Sequence, residues 1–489
     1  MPNAHLPQYN LIAAARASLV EHGFEPDYPH GTEAEVAEIA VTPLAVKDGE
    51  LKDLRDLWWS SIDNDNSKDL DQIEWVERLP GGGLRVRIAV ADVDARLRRG
   101  SLIDGYARHE TTSVYTGVQV FPMLPIALSE GITSLNENED RAALVIEYVV
   151  DMAGGVTAGR IFRALVRNHA QLTYNTVGAW LAGKADPPAK VTASAKLEVQ
   201  LKLQDEAARR MLGCRFQHGA LDLETIETRP VMLQGEAVEI RRLEKNRATS
   251  LIEEFMVAAN GIITQTLDDA GLASIRRIVR TPKRWARIVD LAAAMGTQLP
   301  AEPDSKALNN FLLYQKKHDP ERFPDLSLAV VKLMGPGEYV LVRPDEDDPG
   351  HFGLAVQDYT HSTAPNRRFP DVVTQRILKA WLRGSHPPYS ADELGAIAQH
   401  CTLMEDGARK VEREMQKRIA AVVLHNKIGQ LFHAVVTGVN RYGTFVRTLD
   451  PHVEGMLVEG SKGLDVGDKI QVRLLATDPQ RGFIDFAEV

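Results

Sequence analysis

The stretch SIDNDNSKDLDQ, residues 61–72, places Asp63, Asp65, Asp69 and Asp71 within nine positions. Offsets of six and two do not stack on one helix face. They fit a loop running into a strand, with Asp69 and Asp71 pointing the same way. Like charges packed this densely raise one another's pKa. A hard cation such as Mg2+ relieves that cost, and oxygen is the ligand it prefers. A cation held there can activate water and clamp a phosphate. The commoner fate of an acidic run is a solvated loop. A calcium loop of the EF-hand kind is set aside: counted from Asp63, Lys68 stands sixth, where glycine is required, and no helix precedes it.

Working outward, DQIEWVER (71–78) reads as the strand that the acidic loop enters. Leu84, Val86, Ile88 and Val90 alternate with Arg85, Arg87 and Ala89 in a second strand, and Pro80-Gly81-Gly82-Gly83 supplies the hairpin turn. Later segments are helical. In Ser250–Ala270, Leu251, Phe255, Ala259, Ile262, Ile263 and Thr266 line one face, Gly271 closes the end, and Ser250 with Glu253 has the spacing of a capping box. Residues 46 to about 425 therefore read as one large α+β body. Residues 429–489 form a smaller unit of five short strands between glycine turns, which suits an OB barrel. Residues 1–45 hold two short helices, one carrying Leu11, Ala14, Ala15, Leu19 and Val20, the other running from Thr32 to Ile39. They fit a helix-turn-helix or a helical hairpin resting on the body.

The whole chain has 489 residues, 44% hydrophobic and 25% charged, which is ordinary globular usage and room for two to four domains. Its two cysteines, Cys214 and Cys401, exclude a cysteine zinc site and argue against a disulfide framework. No apolar run reaches the ~18 residues of a membrane span, and MPNAHLPQYN has no leader pattern, so a cytoplasmic protein is expected. The net charge of −10 argues against a nucleic-acid coat protein but allows an enzyme with a positive channel. RRIVRTPKRWAR, residues 276–287, with six Lys/Arg, is the candidate phosphate path. The last unit has six Lys/Arg against eight Asp/Glu. Any nucleic-acid grip there leans on rings, and Tyr442 and Phe445 around Gly443 are suited to base stacking.

SIDNDNSKDLDQ resembles the opening motif of the ribonuclease II/R (RNB) family of 3′→5′ exoribonucleases, and the later blocks follow in the family's order. They are AVADVDARLRRGSLIDGYARHETTSVY (89–115), FPMLPIALSEGITSLNENEDRAAL (121–144), SLIEEFMVAANG (250–261) and HFGLAVQDYTHSTAPNRRFPDVVTQRIL (351–378). The C-terminal unit, with VTGVNRYGTFV and EGMLVE, resembles the S1-type RNA-binding OB fold that ends many members. The layout is most like a bacterial ribonuclease II. A short helical unit stands where many members carry cold-shock domains, because 45 residues cannot hold one.

The resemblance implies an RNB catalytic body and an Mg2+-dependent, processive enzyme, with Mn2+ as a substitute, that cuts single-stranded RNA to nucleoside 5′-monophosphates. By it, Asp63, Asp69 and Asp71 bind the metal and position the attacking water. Gln72 stands where the family usually has a fourth catalytic aspartate, and Ala89 where most members have histidine. Asp65 is the candidate for supplying the missing charge. Asp92 matches a family aspartate that can serve the fold alone. Arg367 matches the catalytic arginine, and its guanidinium fork suits a phosphate gaining charge in the transition state; Arg368 follows it. Tyr115 matches a base-stacking tyrosine, although a tyrosine is more often a core residue. Glu254 is the candidate ribose contact, since Glu253 is assigned to the cap. No protein partner is implied, and a monomer is expected. Two other readings stay open: a catalytically weakened RNA-binding regulator, suggested by Gln72 and Ala89, and a DNA-associated regulator acting through the N-terminal helices.

Overall fold

The computed structural model describes residues 9–44, 51–224, 226–233, 236–344, 346, 350–356 and 359–489. The expected boundary at 45/46 and the N-terminal residues 1–8 lie outside these. The chain enters through α1 (Leu11–Glu21), capped by the Asn10 side chain, which accepts from the Ala13 N–H at 2.9 Å, and α2 (Thr32–Val41). A sheet follows, begun by β1 (Lys52–Asp53), β2 (Trp59–Asp63), β3 (Gln72–Arg78) and β4 (Leu84–Ala91). After α3 (Leu102–Glu110) and the ribbon β5 (Val114–Tyr115) and β6 (Val120–Phe121), it is completed by β7 (Asp140–Val150) and β8 (Val156–Thr173). The expected β3–β4 hairpin is present in antiparallel register, Gln72 opposite Val90 and Arg78 opposite Leu84. The strand order is β1-β8-β2-β3-β4-β7. The long β8 pairs with β7 along Val156–Arg167 and with β2 along Asn168–Thr173, so the sheet curls back on itself.

Helices α4 (Tyr174–Leu181), α5 (Ala189–Thr192) and α6 (Ala195–Gln217) follow, then the hairpin β9 (Glu227–Leu233) and β10 (Glu236–Leu243) and the helix α7 (Arg247–Asp269). Leu197 and Leu201 of α6 and Leu251, Phe255 and Ile262 of α7 join Val76, Val86, Ile88 and Tyr148 in the main core. Helix α7 starts earlier than expected. Its cap is Asn246, in a reciprocal box with Thr249, so Ser250 and Glu253 are not the capping pair. Asparagine caps as well as serine, and the polar turn before Arg247 leaves room for the extra residues.

Strand β11 (Ser274–Ile278) pairs with β12 (Glu338–Val342), and α8 (Trp285–Ala294), α9 (Ser305–His318) and α10 (Phe323–Met334) lie between them in sequence. The basic stretch 276–287 is not one exposed strip. Arg276 and Arg277 are buried on β11, where Arg276 pairs with Asp268 and Arg277 with Glu405 at 2.8 Å. Trp285 is also buried, which leaves Arg280, Lys283, Arg284 and Arg287 at the surface. Consecutive strand residues point to opposite faces, and β11 is buried along its whole length, so both guanidinium groups are enclosed and ion pairs must compensate them.

Helices α11 (Phe369–Leu382) and α12 (Ala391–His425) close the body. Leu11, Ala15, Leu19 and Phe24 share a core with Met404, Ala408, Val411 and Met415 of α12, whereas Val36 and Ile39 of α2 pack on the main core. The helices of a helix-turn-helix share one core; these two join different ones. The last strands, β13 (Leu431–Asn440), β14 (Gly443–Thr448), β15 (Glu454–Glu459), β16 (Lys469–Asp478) and β17 (Phe483–Glu488), close a barrel in the order β13-β14-β15-β17-β16. Ala420, Ala421 and Leu424 at the end of α12 complete the barrel's core. Among the described residues, no helix is long and apolar enough to cross a membrane. Cys214 and Cys401 are both free.

Asp92 supports the fold. It is buried at the end of β4 and accepts from Arg163 Nη2 at 2.8 Å and from Lys379 Nζ of α11 at 2.7 Å. Removing one member of a buried ion network leaves charge uncompensated, at a cost of about 3–5 kcal/mol. Asp92→Ala should lower the unfolding free energy by that amount in urea titrations; a loss below about 1 kcal/mol would show that the network is dispensable.

Candidate active site

Strand pairing assembles the acidic loop. β2 ends at Asp63 and β3 begins at Gln72, so residues 64–71 must turn at one end of the sheet. The loop is pinned along its length. The Leu70 N–H donates to Ser134 Oγ at 2.9 Å, and Ser134 Oγ donates to the Lys68 carbonyl at 2.7 Å. Asp63 Oδ1 accepts from the Asn64 N–H at 2.7 Å and from Ser67 Oγ at 3.0 Å.

The segment before α11 meets this loop. Asp71, 2% exposed, accepts from the Asn366 N–H at 2.9 Å through Oδ1 and from Arg367 Nε at 3.2 Å through Oδ2. Asp371 braces that segment from behind, accepting from the Ala364 N–H and from Arg368 Nη2, each at 2.7 Å. The Ser113 N–H donates to the Arg367 carbonyl at 3.0 Å, which ties in the ribbon that carries Tyr115. The Tyr115 ring is 42% exposed, and its hydroxyl donates to Asp69 Oδ2 at 3.4 Å. Asp63, Asp69, Asp71, Arg367 and Tyr115 thus act on one another, from segments as far apart in sequence as residues 63 and 367.

Burial pushes the Asp71 carboxyl up to about 7; Arg367 opposes this and the charge of Asp69 adds to it. Burial also raises Asp63, again with a contribution from Asp69. Burial works against the charge on Arg367, but Tyr115, Asp71, Asp63 and Asp69 together hold its pKa above the ordinary value. Its side chain stays 44% exposed and so can meet a ligand. The donors suit a hard divalent cation in kind: all are oxygens, and their charges already oppose one another. Among the described residues, no three carboxylates, imidazoles or thiols stand close enough together to enclose an ion as they are, and the guanidinium of Arg367 is the counter-charge at Asp71.

This electrostatic state has a measurable consequence. Asp71 and Glu254 both keep their protons to about pH 7 in the fold, whereas in the unfolded chain they ionise near pH ~4. The unfolded state therefore releases these protons first, and these two groups should subtract stability as pH rises from about 4 to about 7, seen as the metal-free wild type losing stability relative to Asp71→Asn over that range. Melting curves in EDTA check this. Adding Mn2+ should flatten the decline if a cation takes up the ionised site.

Other residues singled out from the sequence stand elsewhere. Gln72 is buried at the start of β3. Asp65 is exposed and accepts from Asn175 Nδ2 at 2.7 Å. Arg368 turns to Asp371 and lines a small pocket with Tyr339, His361 and Glu405. Glu254 is buried and pairs with Arg215 of α6 at 2.7 Å; burial raises its carboxyl most, and Arg215 opposes the shift. Glu253, free of any capping role, is the more exposed of the two and pairs with Lys245 at 2.6 Å. In the barrel, Tyr442 is exposed under the Arg441 guanidinium, and Phe445 is half-buried on the outward side of β14. Sequence reasoning missed Asn366 and Asp371. Asn366 acts through its backbone N–H, which no side-chain pattern reveals. Asp371 follows Arg368 by three positions in the first helical turn, a legible pairing signal.

Two domain families match the chain: the RNB domain over residues 51–384 and the RNase II-type exonuclease C-terminal S1 domain over 430–489. Ribonuclease R of Escherichia coli (strain K12) is 29% identical across 97% of this chain and 62% of that protein. Ribonuclease R of Thermotoga maritima is 30% identical across 96% of this chain and 70% of its own length. The chain thus spans about six to seven tenths of these two relatives. In fold, it is similar to Mycoplasma genitalium RNase R in complex with ribose methylated single-stranded RNA, with a TM-score of 0.88 at 22% identity, covering 98% of this chain and 78% of that one. With the RNB match covering most of its length and the S1 match following in order, the chain belongs to the RNB family of ribonucleases II and R.

Proposed function

We propose that this chain is a processive 3′→5′ exoribonuclease that degrades single-stranded RNA to nucleoside 5′-monophosphates, with Mg2+ as its metal and Mn2+ as a substitute. Nucleases of the RNB family are metal-dependent in general. The observation that carries the reading is the part-exposed Arg367 guanidinium on the buried Asp71 carboxylate, with Asp63 and Asp69 beside it and the open Tyr115 ring at the rim. Asp63, Asp69 and Asp71 would hold the cation, which supplies Lewis-acid activation of water and of the phosphate. The Asn366 N–H orients Asp71. Arg367 meets the phosphate oxygens through its fork and stabilises the charge that builds there. Water adds at phosphorus and the P–O3′ bond breaks. The penultimate 3′-oxygen leaves and takes up a proton, and the phosphate stays on the departing nucleoside. Tyr442 and Phe445 serve as stacking rings on the barrel. A monomer working in the cytoplasm fits this role.

The test is a 5′-labelled single-stranded RNA with Mg2+. A ladder shortening to a limit product, with 5′-monophosphates released, is expected. Tight RNA binding with no decay at any Mg2+ or Mn2+ level would favour the weakened RNA-binding regulator that Gln72 suggests. A stacking Tyr115 contributes roughly 1–3 kcal/mol per base. Tyr115→Ala should therefore release RNA earlier and leave a longer limit product; an identical product would remove Tyr115 from the grip.

A further inference from the structure

Beside the aspartates lies a carboxylate to which the motif assigns no role. Glu74 is on β3, two residues from Gln72, and successive odd or even positions of a strand share a face. It is 0% exposed, and neither carboxylate oxygen has a hydrogen-bond partner in the structure. The apolar pattern of β3 has no need of it: Val76 occupies the next position on that face, and Ile88 lies directly opposite Glu74 on β4. An unpaired buried carboxylate costs several kcal/mol in folding, so an acid kept there needs a compensating partner.

Four neighbours surround the acid. Glu74 pairs with Ser60 across the β2–β3 ladder, three residues before Asp63 at the end of β2, and the charge of Asp63 acts on it. The Tyr174 hydroxyl feels the charges of Asp63, Glu74 and Arg367 together. On its inner side, the Tyr148 hydroxyl and Gln204 Oε1 are also buried without partners. Asp65, the alternative source of charge, points to Asn175 at the surface.

We propose that Glu74 supplies the negative charge that position 72 lacks, and that it holds the divalent cation together with Asp63. This rests on the reading of Asp63, Asp69 and Asp71 as metal-holding residues. The charge count of the site is then conserved: a carboxylate is lost at 72 and one is present two positions along the same strand. The amide of Gln72 remains as a neutral acceptor at the edge of the site.

The test is Mn2+ binding to the full chain without RNA, read by titration calorimetry or by the EPR signal of free Mn2+. Loss of an outer-shell partner weakens metal binding by about 10–100-fold, and Glu74→Gln, which removes a carboxylate that holds the ion, should cost at least that much while the metal-free melting temperature is kept or raised. Gln72→Asp should restore most of the affinity in the Glu74→Gln background and add little to the wild type. Should the buried amide misfold, Glu74→Leu suits the apolar surroundings and carries the same expectation. Unchanged Mn2+ affinity in Glu74→Gln or Glu74→Leu overturns the proposal. If Asp63→Asn loses the ion while either Glu74 variant keeps it, the aspartate site stands and Glu74 has no part in it. A wild type that binds no Mn2+ overturns both.

Discussion

Asp71→Asn should abolish RNA cleavage, with a loss of at least roughly a thousandfold in single-turnover rate, the scale seen when one member of a catalytic unit is removed. The carboxylate is buried, accepts from the Asn366 N–H and the Arg367 guanidinium, and repels Asp69. An amide keeps an acceptor for the Asn366 N–H but gives up the charge that a cation needs. RNA affinity should be kept or improved, because a charge that repels phosphate is gone. The metal-free variant should also be more stable than the wild type near pH 8, where Asp71 is ionised at a cost. These three readouts separate a chemical role from a structural one. Near wild-type cleavage by Asp71→Asn would mean that the metal assignment is wrong.

Arg367→Ala should cost at least roughly a hundredfold in rate, as for loss of one donor to a developing oxyanion. Its side chain is open enough to reach a ligand, whereas Arg368 is committed to Asp371. Arg367→Lys should recover only part of the rate, since a point charge cannot reproduce the fork. The effect should fall on the chemical step rather than on RNA binding. If single-turnover kinetics were unchanged, Arg367 would be only the counter-ion of Asp71.

The two predictions also differ in how the residues became visible. Asp71 was legible as part of a dense local pattern, because four carboxylates in nine positions carry a cost that needs an explanation. Arg367 was legible only through the order of sequence blocks. Nothing in the residues around position 367 says that they meet residue 71; strand pairing and the seat of α11 on the sheet bring them together. The Asp92–Lys379 and Asp92–Arg163 pairs that hold that seat join residues far apart in sequence.

Short-range physics determined much from sequence alone. Alternation placed β3 and β4, the glycine run placed their turn, and the apolar stripe placed α7. The glycine-punctuated end of the chain implied a five-stranded barrel. These are local signals, set by backbone geometry and by which face of an element must leave water. Tertiary structure decided what one-dimensional pattern cannot carry. Arg276 and Arg277 read as part of a phosphate path, yet the β11–β12 pairing turns them inward to carboxylate partners. Glu253 read as a cap, yet the helix begins at Arg247, because Asn246 and Thr249 satisfy its first amides. The sequence assigned Glu74 nothing beyond its place in the strand 71–78. Only the packing of the sheet against α6 and α7 buries its carboxylate with no hydrogen-bond partner, close to Asp63. Burial and partnership are properties of the closed core, and they decide whether a charge is solvated, paired or poised to hold an ion.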